Sequence, residues 1–287
     1  MSGNFKIVVW DVQHGNAIYI RTPGAKHFAI DLGTGSYEDS NYEFSPILHL
    51  KEQWGITKLH GIVITHPHRD HLDDIFNFDT LSPGVLVRPK HLSEKDIKEG
   101  NRKEDKEVIN EYIEINSRYS SPVNSDEDPF EASNNGGAQI DTFIPYSCAT
   151  SNLNNHSVVT VISCAESKII IPGDNEPPSW NELLGWSSFL SAIEGADILV
   201  APHHGRESGF SSELFKHISP YLTIISDGPS DTTASDKYSN NSSGWTVHKR
   251  SGGKEERKCV TTRKDGVIEV EFGKGGDGSP FIYVKID

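Results

Sequence analysis

The 287-residue sequence is short of cysteine, of positive charge and of long apolar runs, and each shortage removes a class of protein. Cys148, Cys164 and Cys259 are odd in number and far apart, so they make neither a disulfide framework nor a CxxC metal pattern. Cys164 falls in the apolar run VVTVISC and reads as a core residue. No stretch of eighteen apolar residues occurs, so nothing is expected to span a membrane. The opening MSGNFKIVVWDV enters a strand-like run without a charged region and cleavage site, which gives the expectation of a cytosolic protein. Lys and Arg number 27 against 41 Asp and Glu, a formal charge of −14. That balance opposes a broad footprint on duplex DNA, where binding comes from cations displacing counterions. Hydrophobic residues make up only 35%. With frequent Gly and Pro, this suits a loop-rich α/β protein better than a helical bundle. The length suffices for one large domain over residues 1–287, carrying elaborations.

What is present is a concentration of metal ligands. In IVITHPHRDHLDD a short β-branched run, Ile62 to Ile64, stops at Thr65 and is followed by His66, His68, Asp70 and His71. The run reads as a buried strand ended by Pro67. His66 and His68, two apart in an extended loop, can point the same way, while Asp70 and His71 enter the next turn and can face a neighbouring centre. Imidazoles with a carboxylate suit Zn(II) and tolerate Mn(II) or Fe(II). Upstream, FKIVVWDV, AIYIRT and HFAIDLG read as strands. Asp11 and Asp31 end two of them, either as turn formers or as acceptors that orient a ligand imidazole. His14 and Asn16 lie in the polar turn between the first two. SPILHLKEQWGI has helical spacing, and Leu72, Ile75 and Phe76 suggest a further helix. Asp73 and Asp74, near its start, are given no catalytic role.

His66-x-His68-x-Asp70-His71 resembles the HxHxDH signature of the metallo-β-lactamase superfamily. The resemblance implies an αββα sandwich of two mixed β-sheets flanked by helices, a pair of divalent cations at the sheet edge, and a metal-activated hydroxide as nucleophile. WDVQHGNA and IDLGTG are similar to the opening motifs of the ComEC branch, the hydrolase domain attached to a DNA-uptake channel. Gln13, His14 and Asn16 stand where that branch has Gly, Gln and Asp. Asn154-Asn155-His156-Ser157 resembles its NNxS motif, with Asn155 and Ser157 expected near the site. Asp174 in KIIIPGDNE matches the GD motif whose carboxylate bridges both metals. His203 and His204 in APHHG match the HHG motif. The implied ligand set is His66, His68 and His156 on one metal, and Asp70, His71 and His203 on the other, with Asp174 between them. His156 is either that third imidazole or a turn histidine. His204 is expected to support a ligand or transfer a proton.

Residues 92–140 interrupt this pattern. SEKDIKEGNRKEDKEVINEYIEINSRY is charge-dense with a weak stripe of Ile109, Tyr112, Ile113 and Ile115, and SSPVNSDEDPFEASNNGGAQ reads as loop or partly disordered. The insert is expected either to cover the site or to be a solvated elaboration. Neither GxSxG nor GxxxxGK[ST] occurs to compete with the metal reading. Two metals would restore positive charge at the pocket despite the acidic surface. The ComEC likeness favours phosphodiester hydrolysis of a short or single-stranded nucleic acid or a cyclic nucleotide. Arg206, Lys249, Arg250 and Arg263 are candidate phosphate contacts. Acyl hydrolysis of thioesters, lactones or β-lactams is the alternative, and a silent metal-binding scaffold the non-enzymatic one. A stand-alone version of a channel-linked domain also implies a separate partner protein that recruits substrate.

Overall fold

The alternation along individual strands explains how the chain builds four layers. In β1 (Phe5–Val9), Phe5, Ile7 and Val9 face one buried cluster, while Val8 faces another, as the two-residue period of a strand requires. The protein, seen here as a computed structural model, is described over residues 3–35, 44–228 and 232–287. The polar stretch beginning at Tyr37 lies outside the described residues as far as residue 43. After β1 come β2 (Ile18–Arg21), β3 (His27–Ile30), the short helix α1 (Pro46–Glu52), β4 (Gly61–Val63) and β5 (Val85–Val87). Helices α2 (Glu94–Glu99), α3 (Lys106–Arg118) and α4 (Ala132–Asn135) form the insert. A second sheet then begins with β6 (Gln139–Phe143), β7 (Val159–Cys164) and β8 (Ser167–Ile171). Helices α5 (Pro177–Leu183) and α6 (Ser187–Ile193) lead to β9 (Ile198–Val200) and β10 (Leu222–Ile225). The chain closes with α7 (Ser235–Asn240), β11 (Trp245–Lys249), β12 (Lys254–Arg257), β13 (Cys259–Thr261), α8 (Thr262–Asp265), β14 (Ile268–Lys274) and β15 (Pro280–Ile286).

The nine-stranded sheet runs β12-β11-β15-β14-β1-β2-β3-β4-β5 and the six-stranded sheet β13-β10-β9-β8-β7-β6. Both are mixed: β3-β4-β5 and β8-β9-β10-β13 are parallel, and β1, β2, β6 and β7 join antiparallel neighbours. Ile7, Ile30, Val63, Ile162, Ile198 and Ile224 meet in the core between the sheets. Trp10, Ile62, Ile47, Phe78 and Tyr112 fill the layer under α1 and α3. Val161, Leu199, Trp180 and Phe189 fill the layer under α5 and α6. The arrangement is therefore the expected α/β/β/α sandwich. No helix among the described residues is long and apolar enough to cross a membrane.

One local expectation needs correction, and one open alternative is resolved. The stretch after the histidine motif is a 3-10 segment, Ile75–Leu81, in which Phe76 is 60% exposed while Phe78 and Leu81 are buried. Tighter winding moves the apolar face off the α-helical spacing. Asp74 is buried and accepts from Ser45 Oγ, Ile47 N and Asn77 Nδ2, so it fastens the start of α1. The segment read as loop or partly disordered is largely loop, with the short helix α4, and is held by specific contacts. Phe130 packs edge-on against Phe28, and buried Asn135 donates to Ala138 O and accepts from Ala138 N.

Candidate metal centre

The site lies where the parallel strands of both sheets end, the edge at which open α/β sheets present their ligands. β4 runs into the loop carrying His66 to His71, β8 into the turn carrying Asp174, and β9 into His203 and His204. Backbone bonds clamp these loops together. Val158 N donates to Thr65 O across the two sheets, Asn16 N to Asp70 O, and His203 N to Gly173 O. Close approach explains three glycines. A Cβ on Gly15 or Gly33 would come within 2.7 Å of Asp70 O, and one on Gly173 within 2.7 Å of Thr65 Cβ. Gly173 also has φ +60°, which a bare backbone adopts at least cost.

Asp70, His71, Asp174 and His204 bring one ligand atom each within 4.8 Å of one another. His204 Nε2 is 3.2 Å from Asp70 Oδ2 and 3.4 Å from Asp174 Oδ2, and His71 Nε2 is 3.3 Å from Asp174 Oδ1. Beside this group, His66 Nε2 and His68 Nδ1 are 2.9 Å apart, and His66 Nε2 lies 4.0 Å from Asp174 Oδ2. Asp174 therefore faces both clusters.

The imidazoles are held in defined tautomers. Asp31, fully buried at the end of β3, accepts from Thr65 N at 2.7 Å, Thr65 Oγ1 at 2.8 Å and Asn16 Nδ2 at 2.9 Å. His71 Nδ1 at 2.7 Å must then donate to it, which turns Nε2 towards the carboxylates. Thr65 Oγ1, its proton given to Asp31, accepts from His66 Nδ1 at 3.2 Å. His204 Nδ1 donates to Ser226 O at 3.1 Å.

Charge supports a cation here. Burial opposes the charged imidazole of His204, but Asp174 and Asp70 outweigh it and raise its pKa to about 9. Burial likewise opposes charge on His71, and Asp174, Asp31 and Asp70 overcome it. Burial pushes the Asp70 and Asp174 carboxyls up, yet the neighbouring His71 and His204 hold both well below the ordinary carboxylate range. Both shifts favour protons on the His71 and His204 imidazoles beside the two buried carboxylates. Divalent cations would replace those protons, and the buried Nε2 of His71, which has no hydrogen-bond partner, is a donor atom such an ion would satisfy. The 2.9 Å separation of the His66 and His68 nitrogens also suits two ligands sharing one ion at Zn–N distances of about 2.0–2.1 Å.

Several expected residues sit elsewhere. His203 is turned from the four-residue cluster: its Nδ1 meets Ser208 Oγ at 2.9 Å and Glu176 Oε1 at 3.2 Å, and its Nε2 is 3.9 Å from Asp174. His204, rather than His203, thus lies in the four-residue cluster. Both residues have positive φ, 50° and 52°, and this left-handed pair sets which ring faces inward. His156 points at His91 Nε2, 2.9 Å from its Nδ1, and at Pro145 O, because a 3-10 turn over Leu153–His156 directs it there. It does not join the cluster. Asp11 accepts from Gln13 N and Nε2, so it forms its own turn, and Asp31 alone orients a site imidazole. Asn155 accepts from Ser179 Oγ and braces α5, whereas Ser157 Oγ accepts from Asp174 N and so positions that carboxylate.

A cavity of about 190 Å³ opens onto Asp70, Asp174 and His68, with His14, Arg206 and Asn154 on its walls. His14 lies 3.4 Å from Asp70 Oδ2 and near Arg206; burial, reinforced by His204, lowers its pKa to about 4. Of the four cations expected to meet phosphate, Arg206 lines the cavity. Lys249 pairs with Glu255, Arg250 with Glu269 and Arg263 with Asp227, all outside its lining. The insert supplies a wall through Gly100, Asn101 and Arg102. Glu176, Arg69, Asn101 and Arg102 were not anticipated as site neighbours. Glu176 stands two residues past Asp174, where the sequence could have flagged it.

A scan against protein-family models gives no match, and a search of curated proteins gives none. Solved structures similar to this chain include the metallo-beta-lactamase fold protein YhfI from Bacillus subtilis, 12% identical over 69% of this chain and 70% of that chain, with a TM-score of 0.36. A diphosphatase of the PhnP family is 12% identical over 82% and 91% of the two chains, with a TM-score of 0.42. AidC, a dizinc quorum-quenching lactonase, is 16% identical over 57% and 60%, with a TM-score of 0.34.

Proposed function

We propose that this chain is a metallo-β-lactamase-superfamily hydrolase that cleaves phosphodiesters with two divalent cations, Zn(II) first and Mn(II) as the alternative. The observation that carries the reading is the convergence of Asp70, His71, Asp174 and His204 within 4.8 Å, beside the paired nitrogens of His66 and His68. His66, His68 and Asp174 would hold one cation, and Asp70, His71, His204 and Asp174 the other. Bound, the pair supplies Lewis acidity at the substrate oxygens and lowers the pKa of water towards ~7.

The protein's own groups do the rest. Asp31 and the Ser226 carbonyl fix two imidazoles before substrate arrives, and Ser157 fixes Asp174. His203, braced by Glu176, presents Nε2 to the cavity and can hold a proton for a departing oxygen. Arg206 provides a donor fork on the wall, suited to an anionic substrate. The likeness of the opening motifs to the ComEC branch narrows the proposal to a nuclease-type enzyme acting in the cytoplasm beside a separate recruiting protein. The test is turnover of bis-p-nitrophenyl phosphate, nitrocefin and a thioester by Zn(II)- and Mn(II)-loaded protein, with Asp174→Ala as control. Phosphodiester turnover lost in the variant supports the reading. Turnover of the acyl substrates alone overturns it.

A further inference from the structure

Beside the active cavity the insert forms a groove of about 360 Å³ whose charge is opposite to that of the protein as a whole. Its charged lining consists of Lys98, Arg102, Lys103 and Lys106, with no carboxylate among the lining residues, in a chain of net charge −14. Lys98 is partnered by Glu94 along α2, whereas no carboxylate among the described residues pairs with Lys103 or Lys106. Lys106 and Ile109 lie three apart on α3, so they share one face, and Ile109 gives the groove an apolar floor. Asn101 and Arg102 line both this groove and the cavity over Asp70 and Asp174. The two spaces therefore meet at the turn between α2 and α3. That turn is anchored: Asn101 Nδ2 donates to Pro67 O in the histidine loop and to Ile97 O in α2.

We propose that this groove binds the phosphates flanking the scissile bond of a single-stranded nucleic acid, leading the strand across Arg102 into the cavity. A groove whose charged lining residues are all cations concentrates a polyanion locally while the acidic remainder of the surface repels it, which confines binding to this path. The same repulsion disfavours the broad footprint of a duplex. The insert is then a substrate arm rather than a solvated elaboration. For the bond that enters the cavity, the inference rests on the phosphodiesterase reading; for strand binding it rests on the groove itself.

The experiment is fluorescence anisotropy of fluorescein-labelled dT10 with the zinc-loaded protein and with Lys103→Gln/Lys106→Gln, over a salt series. The expected result is at least tenfold weaker binding by the variant and a salt slope shallower by about 1.4, from about 0.7 per lost contact on single strands. In parallel, kcat/KM for dT10 falls at least tenfold further than kcat/KM for thymidine 5′-p-nitrophenyl phosphate. Affinities within twofold of each other, no binding of dT10 by the native chain, or equal affinity for a ten-base-pair duplex would each overturn the proposal. Lysine-dependent binding without cleavage of any phosphodiester would leave the groove standing and overturn the proposed reaction instead.

Discussion

Asp31→Asn is the change that most sharply separates orientation of a ligand from mere packing. It preserves shape but replaces one acceptor oxygen with an NH₂ group. Asp31 Oδ1 accepts from Thr65 N, and Oδ2 accepts from Asn16 Nδ2, Thr65 Oγ1 and His71 Nδ1. If the amide oxygen takes the Oδ1 place, its NH₂ meets the NH₂ of Asn16 and the Nδ1 of His71. His71 then becomes the acceptor, and its proton moves to Nε2, the atom that faces Asp174 at 3.3 Å. If the oxygen takes the Oδ2 place, the NH₂ opposes Thr65 N–H in a site with no exposure. One unmet buried donor costs about 1–3 kcal/mol of stability. Loss of an orienting carboxylate costs ~10–100-fold in metal affinity. Zinc affinity by competition with a chromophoric chelator, set beside urea unfolding of the metal-free protein, reads both effects. A variant destabilised as expected but binding zinc within twofold of the native chain would refute the orienting role.

Three replacements in the histidine loops and one pH profile extend the account. His204→Ala is expected to lower bound zinc from two equivalents towards one, whereas His203→Ala and His156→Ala keep both, as read by elemental analysis after gel filtration; loss on His203→Ala with retention on His204→Ala would reverse the assignment. Burial, reinforced by Lys26, His27 and Lys58, holds the His60 pKa at about 4 in the folded chain, and an unfolded imidazole titrates near ~6.5. Between these values the unfolded chain binds more protons, so stability falls as pH drops through that window and levels below it. His60→Asn, which keeps an acceptor for His27 N, should flatten that part of the urea-midpoint profile; an unchanged slope would remove His60 as its source.

The sandwich and much of the His/Asp cluster at the sheet edge were legible because both rest on short-range patterns. Phe5, Ile7 and Val9 alternate with Val8, and β-branched runs before His66, Asp174 and His203 mark strands whose ends meet at one sheet edge. What escaped the sequence was set by backbone turns and by contacts distant in the chain. The left-handed residues at 203 and 204 exchange the directions of adjacent rings, and nothing in HHG predicts that. The 3-10 turn at Leu153–His156 sends His156 towards His91, 65 residues away. Asp11 and Asp31 look alike at their strand ends, but only Asp31 meets Thr65 and His71. The charged insert resembles a solvated surface because its cations and acids are interleaved in sequence, while folding gathers Arg102, Lys103 and Lys106 along one groove.

Calorimetric titration of the metal-free chain with Zn(II), alongside Asp174→Ala, tests the central claim most directly. The geometry predicts two equivalents for the native chain and weakened binding of both in the variant, since Asp174 faces both clusters. No zinc uptake by the native chain, or two equivalents bound with unchanged affinity after Asp174→Ala, would contradict it.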